Sequence, residues 1–161
     1  MTVKHISDIN IEPIVTNLAK INGSINWTES NHGKQAGLQY RDDEDPWTSA
    51  VGKSHGGELQ YTTLNPFFKN TIFETLIEKY NLKRTRLMWV NPKSCYSLHT
   101  DETPRVHIPL VTNPECYFLF NPGILTHLSV GAVWWVDTRL RHTFLNCSNQ
   151  SRLHLVGVVE K

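Results

Sequence analysis

A chain of 161 residues with 39% apolar side chains is long enough to bury one core and short for two, so one domain spanning residues 1–161 is expected. The 16 basic and 15 acidic side chains leave a formal net charge of +1, no footprint for nucleic acid or an anionic membrane surface. The apolar run Val130-Gly-Ala-Val-Trp-Trp-Val136 is far below the roughly 20 residues that cross a bilayer.

In chain order, the opening MTVKHISDINIEP lacks the basic and apolar regions of a secretory signal, so a cytoplasmic location is the expectation. Ile11, Ile14, Val15 and Leu18 recur at helical spacing and predict an amphipathic helix over residues 10–21, with Pro13 tolerated in its first turn. Residues 22–60 are rich in Gly, Ser, Asn and Asp, including the acidic run Asp42-Asp-Glu-Asp45. They read as a functional loop or a partly disordered segment, with one strand candidate at Gly37-Leu-Gln-Tyr-Arg41. Phe68, Ile72, Leu76 and Tyr80 predict a second helix over 66–81.

From Arg84 onward short β-like runs alternate with turn residues: RTRLMWV, CYSLHT, RVHIPLV, CYFLF, THLSV, AVWWVD, HTFLNC and RLHLVGVV. Such a series predicts a sandwich or barrel, with tight turns at Asn91-Pro92, Asn113-Pro114 and Asn121-Pro-Gly123. The adjacent Trp134 and Trp135 are expected on opposite faces of their strand, one in the core and one outside. Cys95, Cys116 and Cys147 are odd in number and lack CxxC spacing; they read as small core hydrophobes rather than disulfides or zinc ligands.

The stretch HTDETPRVHIPL, His99 to Leu110, sets costly polar groups among strand-like residues. On a strand, His99 and Asp101 project from one face, and two imidazoles with one carboxylate form the facial triad that holds Fe(II) with open positions. His127, His142 and His154 are candidates for the second imidazole. His142 is favoured because Arg152 follows ten residues later, and a buried guanidinium needs an anion such as a co-substrate carboxylate.

His99-Thr-Asp101, Arg105-Val-His107, Gly131-Ala-Val-Trp-Trp-Val-Asp137 running into His142, and finally Arg152 together resemble the Fe(II)/2-oxoglutarate-dependent oxygenases of the aspartyl/asparaginyl β-hydroxylase type. The resemblance covers residues 86 to 159. It implies a mainly β fold with N-terminal helices, a double-stranded β-helix (jelly-roll, cupin-like barrel). Residues 1–83 would supply helices and substrate-side loops, and 84–161 the β-helix core with the site. It further implies His99, Asp101 and His142 as iron ligands, Arg152 on the distal carboxylate of 2-oxoglutarate, and Arg105 and His107 as further co-substrate contacts. O2 is the remaining reactant, with hydroxylation of an amino-acid side chain, free or in a peptide or protein, and release of succinate and CO2. Some relatives carry Gly where this chain has Asp101 and bind iron through two His only; the carboxylate here restores the three-ligand set and argues against halogenase chemistry.

Plainer readings stand beside these. Arg105 would equally suit an ion pair with Asp101 or Glu102, His107 a core histidine, His127 and His154 structural or cavity-lining roles, and Asp137 either a ligand-orienting group or a strand end. The alternative at the level of function is a cupin-like protein that binds a metal or small molecule without 2-oxoglutarate. Gly131, His142 and Asn146 sit near the spacing of the second cupin motif, but that reading leaves Arg152 without a partner.

Overall fold

The short apolar runs of the C-terminal half pair into two antiparallel sheets that face each other, and two helices cover the outer side of the larger sheet. The structure is a computed structural model that describes residues 1–160. In chain order it contains β1 (Val3–Asp8), α1 (Glu12–Ile21), β2 (Thr28–Ser30), β3 (Gly33–Gly37), β4 (Gln39–Tyr40), β5 (Thr63–Leu64), α2 (Ile72–Lys79), β6 (Lys83–Val90), β7 (Ser94–Cys95), β8 (Arg105–Val111), β9 (Cys116–Phe120), β10 (Ile124–Thr126), β11 (Ala132–Val136), β12 (His142–Asn146) and β13 (Arg152–Val158). The larger, seven-stranded sheet has the order β1-β11-β8-β13-β6-β3-β2, the smaller β10-β9-β12-β7, and β4 pairs with β5. This is the expected double-stranded β-helix.

Alternation along the central strands decides what each face carries. On β13, Leu153 and Leu155 point out; with Leu87 of β6 and Val106, Ile108 and Leu110 of β8 they meet Ile14 and Leu18 of α1 and Phe73, Leu76 and Ile77 of α2 in the main core. The intervening Arg152, His154 and Val156, and Arg86 and Met88 of β6, point into the space between the sheets. A second apolar cluster, including Val90, Phe118, Phe120, Val136 and Phe144, closes part of that space.

The helix over 10–21 begins at Glu12 with Pro13 in its first turn. The second helix is shorter than its periodicity suggests. Pro66–Phe68 form a single tight turn, Asn70 adopts φ 60, and α2 starts only after Thr71, whose hydroxyl accepts from Phe73 N. The left-handed residue breaks the helix and the threonine recaps it.

Residues 22–60 are ordered and bring β2 and β3 to the edge of the large sheet. The strand candidate at 37–41 is displaced: β3 ends at Gly37, Leu38 is buried, and β4 turns away to pair with β5. Asp45 of the acidic run accepts from Trp47 N and Thr48 N at 2.9 and 3.0 Å, which makes it a turn cap. The strand Val3–Asp8 was not evident from the sequence, because this edge strand is mostly exposed and carries no alternation. Of the C-terminal runs, CYSLHT holds only the end of β7 and one isolated bridge, and the strand near THLSV ends at Thr126. The turns at Asn91-Pro92, Asn113-Pro114 and Asn121-Pro-Gly123 join consecutive strands as expected.

Trp134 packs against the inter-sheet cluster and edge-on to His5, while Trp135 is half-buried on the opposite face. The cysteine expectation holds for Cys116 alone, since Cys95 and Cys147 are exposed; all three are free. Among the described residues no helix is long and apolar enough to cross a membrane.

Phe68 is fully buried between Trp47, Phe67 and Phe73, with ring centroids 5.1 to 5.7 Å apart. Phe68→Ala is expected to lower unfolding free energy by about 3–5 kcal/mol. Val15→Ala, on the outer side of α1, should change it by less than about 0.5 kcal/mol; urea denaturation of the two variants measures both.

Candidate metal and co-substrate site

His142 opens β12, and His99 lies on the loop after β7. Their backbones exchange two hydrogen bonds of 2.9 Å, an isolated bridge that sets the imidazoles 4.5 Å apart between centroids. Asp101 N then donates to Thr138 O at 2.8 Å. His99 and Asp101 therefore share a side because a loop is pinned at two points, not because they occupy a regular strand as the sequence suggested.

The histidines are oriented from behind. Nδ1–H of His99 donates to Ser97 O at 2.7 Å, and Nδ1–H of His142 donates to Leu140 O at 2.9 Å. A ring that gives its Nδ1 proton to a carbonyl keeps its Nε2 lone pair free. The two Nε2 atoms lie 3.8 and 3.7 Å from the Asp101 carboxylate oxygens, beyond hydrogen-bond reach, so the three groups face a common point rather than one another. Their ligand atoms all fall within 4.8 Å. Two neutral imidazoles and a carboxylate suit a divalent iron. Burial holds the His142 imidazolium form down, against the pull of Leu140 O and Asp101. Burial also opposes charge on Asp101, but the Arg105 hydrogen bond and charge outweigh it and hold the carboxyl down at about 2.

Arg105, at the start of β8, grips both Asp101 oxygens, Nε to Oδ2 and Nη2 to Oδ1 at 2.8 Å each. Its Nη2 also reaches Glu58 Oε1 at 2.8 Å. Glu58 is 1% exposed, takes Arg84 Nη1 at 2.6 Å on the same oxygen, and accepts from Thr103 Oγ1 at 2.6 Å on the other. The resemblance put Arg105 on the co-substrate; in the structure it is committed to two carboxylates, the ion-pair reading, with only Nη1 buried and unpartnered.

Arg152 begins β13, 2% exposed, with its guanidinium 3.6 Å above the Phe144 ring. No carboxylate lies within ion-pair distance among the described residues, and Nε has no partner. Burial pushes it down to about 9, so it remains a cation at neutral pH. His107 and His154 meet through their Nδ1 atoms at 3.3 Å, and each leaves a buried Nε2 unpartnered. Burial, with Arg152 next in effect, drives both toward the neutral form.

One cavity of about 620 Å³ between the sheets is lined by His99, Asp101, His142, Arg105, His107 and Arg152, together with Glu58, Arg84 and Arg86; His154 stands behind His107, outside the lining. An orphaned guanidinium and unpartnered imidazole nitrogens beside a three-ligand metal set fit a small chelating acid. Asp137 is outside the site: Arg139 pairs with both its oxygens at 2.7 and 3.0 Å, so it ends its strand. His127 also lies outside the cavity lining; its Nδ1–H donates to Cys116 O at 2.8 Å. Sequence reasoning missed Glu58, Arg84 and Arg86. The alternation R-x-R-x-M on β6 was a usable signal for the arginines; nothing local marks Glu58, which sits in a Gly-rich loop.

The family model for aspartyl/asparaginyl β-hydroxylase matches residues 15–161. The chain belongs to this family. It is 30% identical over 95 residues to the L-proline cis-4-hydroxylase of Rhizobium meliloti, a match taking in 55% of this chain and 34% of that enzyme; the chain spans about a third of that relative's length. In fold it resembles an oxidoreductase of the 2OG-Fe(II) oxygenase family from Burkholderia pseudomallei, with TM-score 0.64 and 12% identity, over 89% of this chain and 77% of the other. It also resembles a Pseudomonas putida prolyl-4-hydroxylase, with TM-score 0.57 and 8% identity, over 99% and 92% of the two chains.

Glu58 is the shared anion of two buried arginines. Burial alone would raise its carboxyl, but Arg105, Thr103 and Arg84 lower it below the usual glutamate range. Glu58→Gln should cost about 3–5 kcal/mol at pH 7, because two guanidinium groups lose their counter-charge. A depressed folded-state value stabilises above the unfolded value and is lost as pH falls through the folded one. Denaturation curves for wild type and variant should therefore converge below about pH 4.

Proposed function

We propose that this chain is an Fe(II)- and 2-oxoglutarate-dependent dioxygenase. It hydroxylates an unactivated C–H bond of an amino-acid side chain, free or in a peptide or protein, with release of succinate and CO2. The observation that carries the reading is one cavity holding both a His99, Asp101, His142 ligand set with outward-tied Nδ1 atoms and a buried, uncompensated Arg152. A cupin-like binding role uses the first and leaves the second without purpose. Family membership and the likeness to a proline hydroxylase support an amino-acid substrate.

Each residue has a role its surroundings prepare. His99 and His142 present Nε2 to the metal while backbone carbonyls fix their tautomers. Asp101 adds the carboxylate and is kept charged by Arg105. Arg152 binds the far carboxylate of 2-oxoglutarate, with Phe144 behind its plane. His107, neutral and with a free nitrogen, borders the same co-substrate, and His154 stands behind it. Bound iron and 2-oxoglutarate supply the oxygen activation, in which oxidative decarboxylation to succinate accompanies hydroxylation of the substrate. The flanking Phe118, Phe144 and Val156 limit water around the reacting centre. We further propose that residues 1–161 act as one domain and, given three free cysteines, in the reducing cytoplasm.

Anaerobic addition of Fe(II) followed by 2-oxoglutarate should produce the weak visible charge-transfer band of a chelated 2-oxo acid; folded, iron-loaded protein without the band contradicts the proposal. Arg152→Ala should raise the 2-oxoglutarate concentration needed for the band by about 100-fold while iron content, measured by metal analysis, is retained. Asp101→Ala should lose iron on gel filtration, and equal retention would mean that the two histidines suffice.

A further inference from the structure

Four buried arginines line the cavity, Arg84, Arg86, Arg105 and Arg152, against two carboxylates that are not at its rim, Glu58 and Asp101. The rim adds Lys53 and Glu102, which offset each other. In the oxygenase reading the far carboxylate of 2-oxoglutarate pairs with Arg152 and its other carboxylate goes to the iron. Arg84 and Arg105 share Glu58 and Asp101. That leaves one arginine side chain with no anion assigned to it.

That side chain is Arg86. It lies in mid-β6, 4% exposed. Its neighbours on the wall are well supplied: Arg84 has Glu58 and Gly52 O at 2.6 and 2.8 Å, and Arg105 has Asp101 and Glu58. Arg86 has the neutral Gln35, Nη1 to Oε1 at 3.3 Å, and that oxygen is shared with Gly52 N at 3.4 Å. Nε of Arg86 is buried without a partner, and among the described residues no carboxylate stands within ion-pair distance. After burial, Arg84 and Arg105 press on it most; Asp101 and Glu58 act in the opposite sense, but both are already bound by other arginines. A guanidinium does not shed its proton to escape such a setting, so an anion must arrive from outside.

The ladder separates this position from the co-substrate arginine. Arg86 pairs with Val156 and Arg152 with Val90. Their backbones are thus four positions apart along the strand direction, about 13 Å. The two cations mark different places on one wall.

We propose that Arg86 anchors the α-carboxylate of the substrate, so that the molecule hydroxylated here carries that group free, as a free amino acid does, rather than being a residue inside a protein chain. Arg86 offers a planar fork for bidentate pairing, and Gln35 orients it. The proposal rests on the oxygenase reading and narrows its substrate to an acid. A free amino acid and the C-terminus of a peptide present the same group.

The test uses the full chain loaded anaerobically with Fe(II) and 2-oxoglutarate, and reads the perturbation of the visible band as each probe is added. The probes are a panel of free L-amino acids, the primary amide of each, dipeptides ending in the same residues, and peptides blocked at both ends. At least one free acid should bind, with its amide weaker by about 10- to 100-fold. Arg86→Gln should erase that difference and leave the 2-oxoglutarate requirement unchanged. A dipeptide that binds with the same dependence on its carboxylate supports the anchor and names a peptide terminus as the source.

Equal binding of acid and amide, binding of a doubly blocked peptide, absence of binding by any acid, or a raised 2-oxoglutarate requirement in Arg86→Gln overturns the proposal. The band before any probe is added tests the oxygenase reading separately. Should Arg86→Gln fail to fold by thermal melting, the acid and amide comparison in wild type decides.

Discussion

The two-point grip of Arg105 on Asp101 is the contact on which the site depends. A carboxylate on a loop between β7 and β8 has many rotamers, and a planar fork that binds both oxygens leaves one useful orientation. With Asp101 held, each oxygen faces the Nε2 of one histidine. Arg105 is in turn held by Glu58, which comes from the long loop before β5, so a segment with little regular structure helps fix the geometry of a cavity whose floor is a sheet. A contact of this kind is costly to break from either side, because the remaining partner is a buried charge.

The same strands separate the two tasks of the fold. Odd positions on β13 feed the apolar core beneath the helices, and even positions turn inward, bringing Arg152 and Val156 to the cavity. β6 follows the rule with Leu87 outward and Arg86 and Met88 inward. A polar inner face would be destabilising in a closed core; here it lines an open cavity of about 620 Å³. The sequence as a whole is nearly neutral; a local surplus of guanidinium over carboxylate groups arises only when the strands bring Arg84, Arg86, Arg105 and Arg152 to one cavity.

Much of this was legible beforehand. Apolar alternation placed β8, β9, β12 and β13 within a residue or two, and the helix of α1 followed from its periodicity. The triad could be named from His99-Thr-Asp101 and from the paired spacing of His142 and Arg152. What stayed hidden has physical causes. β1 is an edge strand with exposed side chains and no alternation to read. The loop carrying His99 is pinned by tertiary hydrogen bonds to His142 and Thr138 that no local pattern encodes. Glu58 becomes a buried counter-ion only because Arg84 and Arg105, 26 and 47 residues away in the chain, converge on it. Arg105 was ambiguous for the same reason, since either an incoming acid or a protein carboxylate satisfies a guanidinium, and only the fold shows that two carboxylates are already there.

The most direct measurement is a crystal structure of the chain grown anaerobically with Fe(II) and 2-oxoglutarate, with iron located by anomalous scattering. Iron bound to Nε2 of His99, Nε2 of His142 and the Asp101 carboxylate, with 2-oxoglutarate chelated to it and its far carboxylate on Arg152, is the predicted result. Iron elsewhere, or a 2-oxoglutarate that leaves Arg152 unpaired, would contradict the assignment of the site.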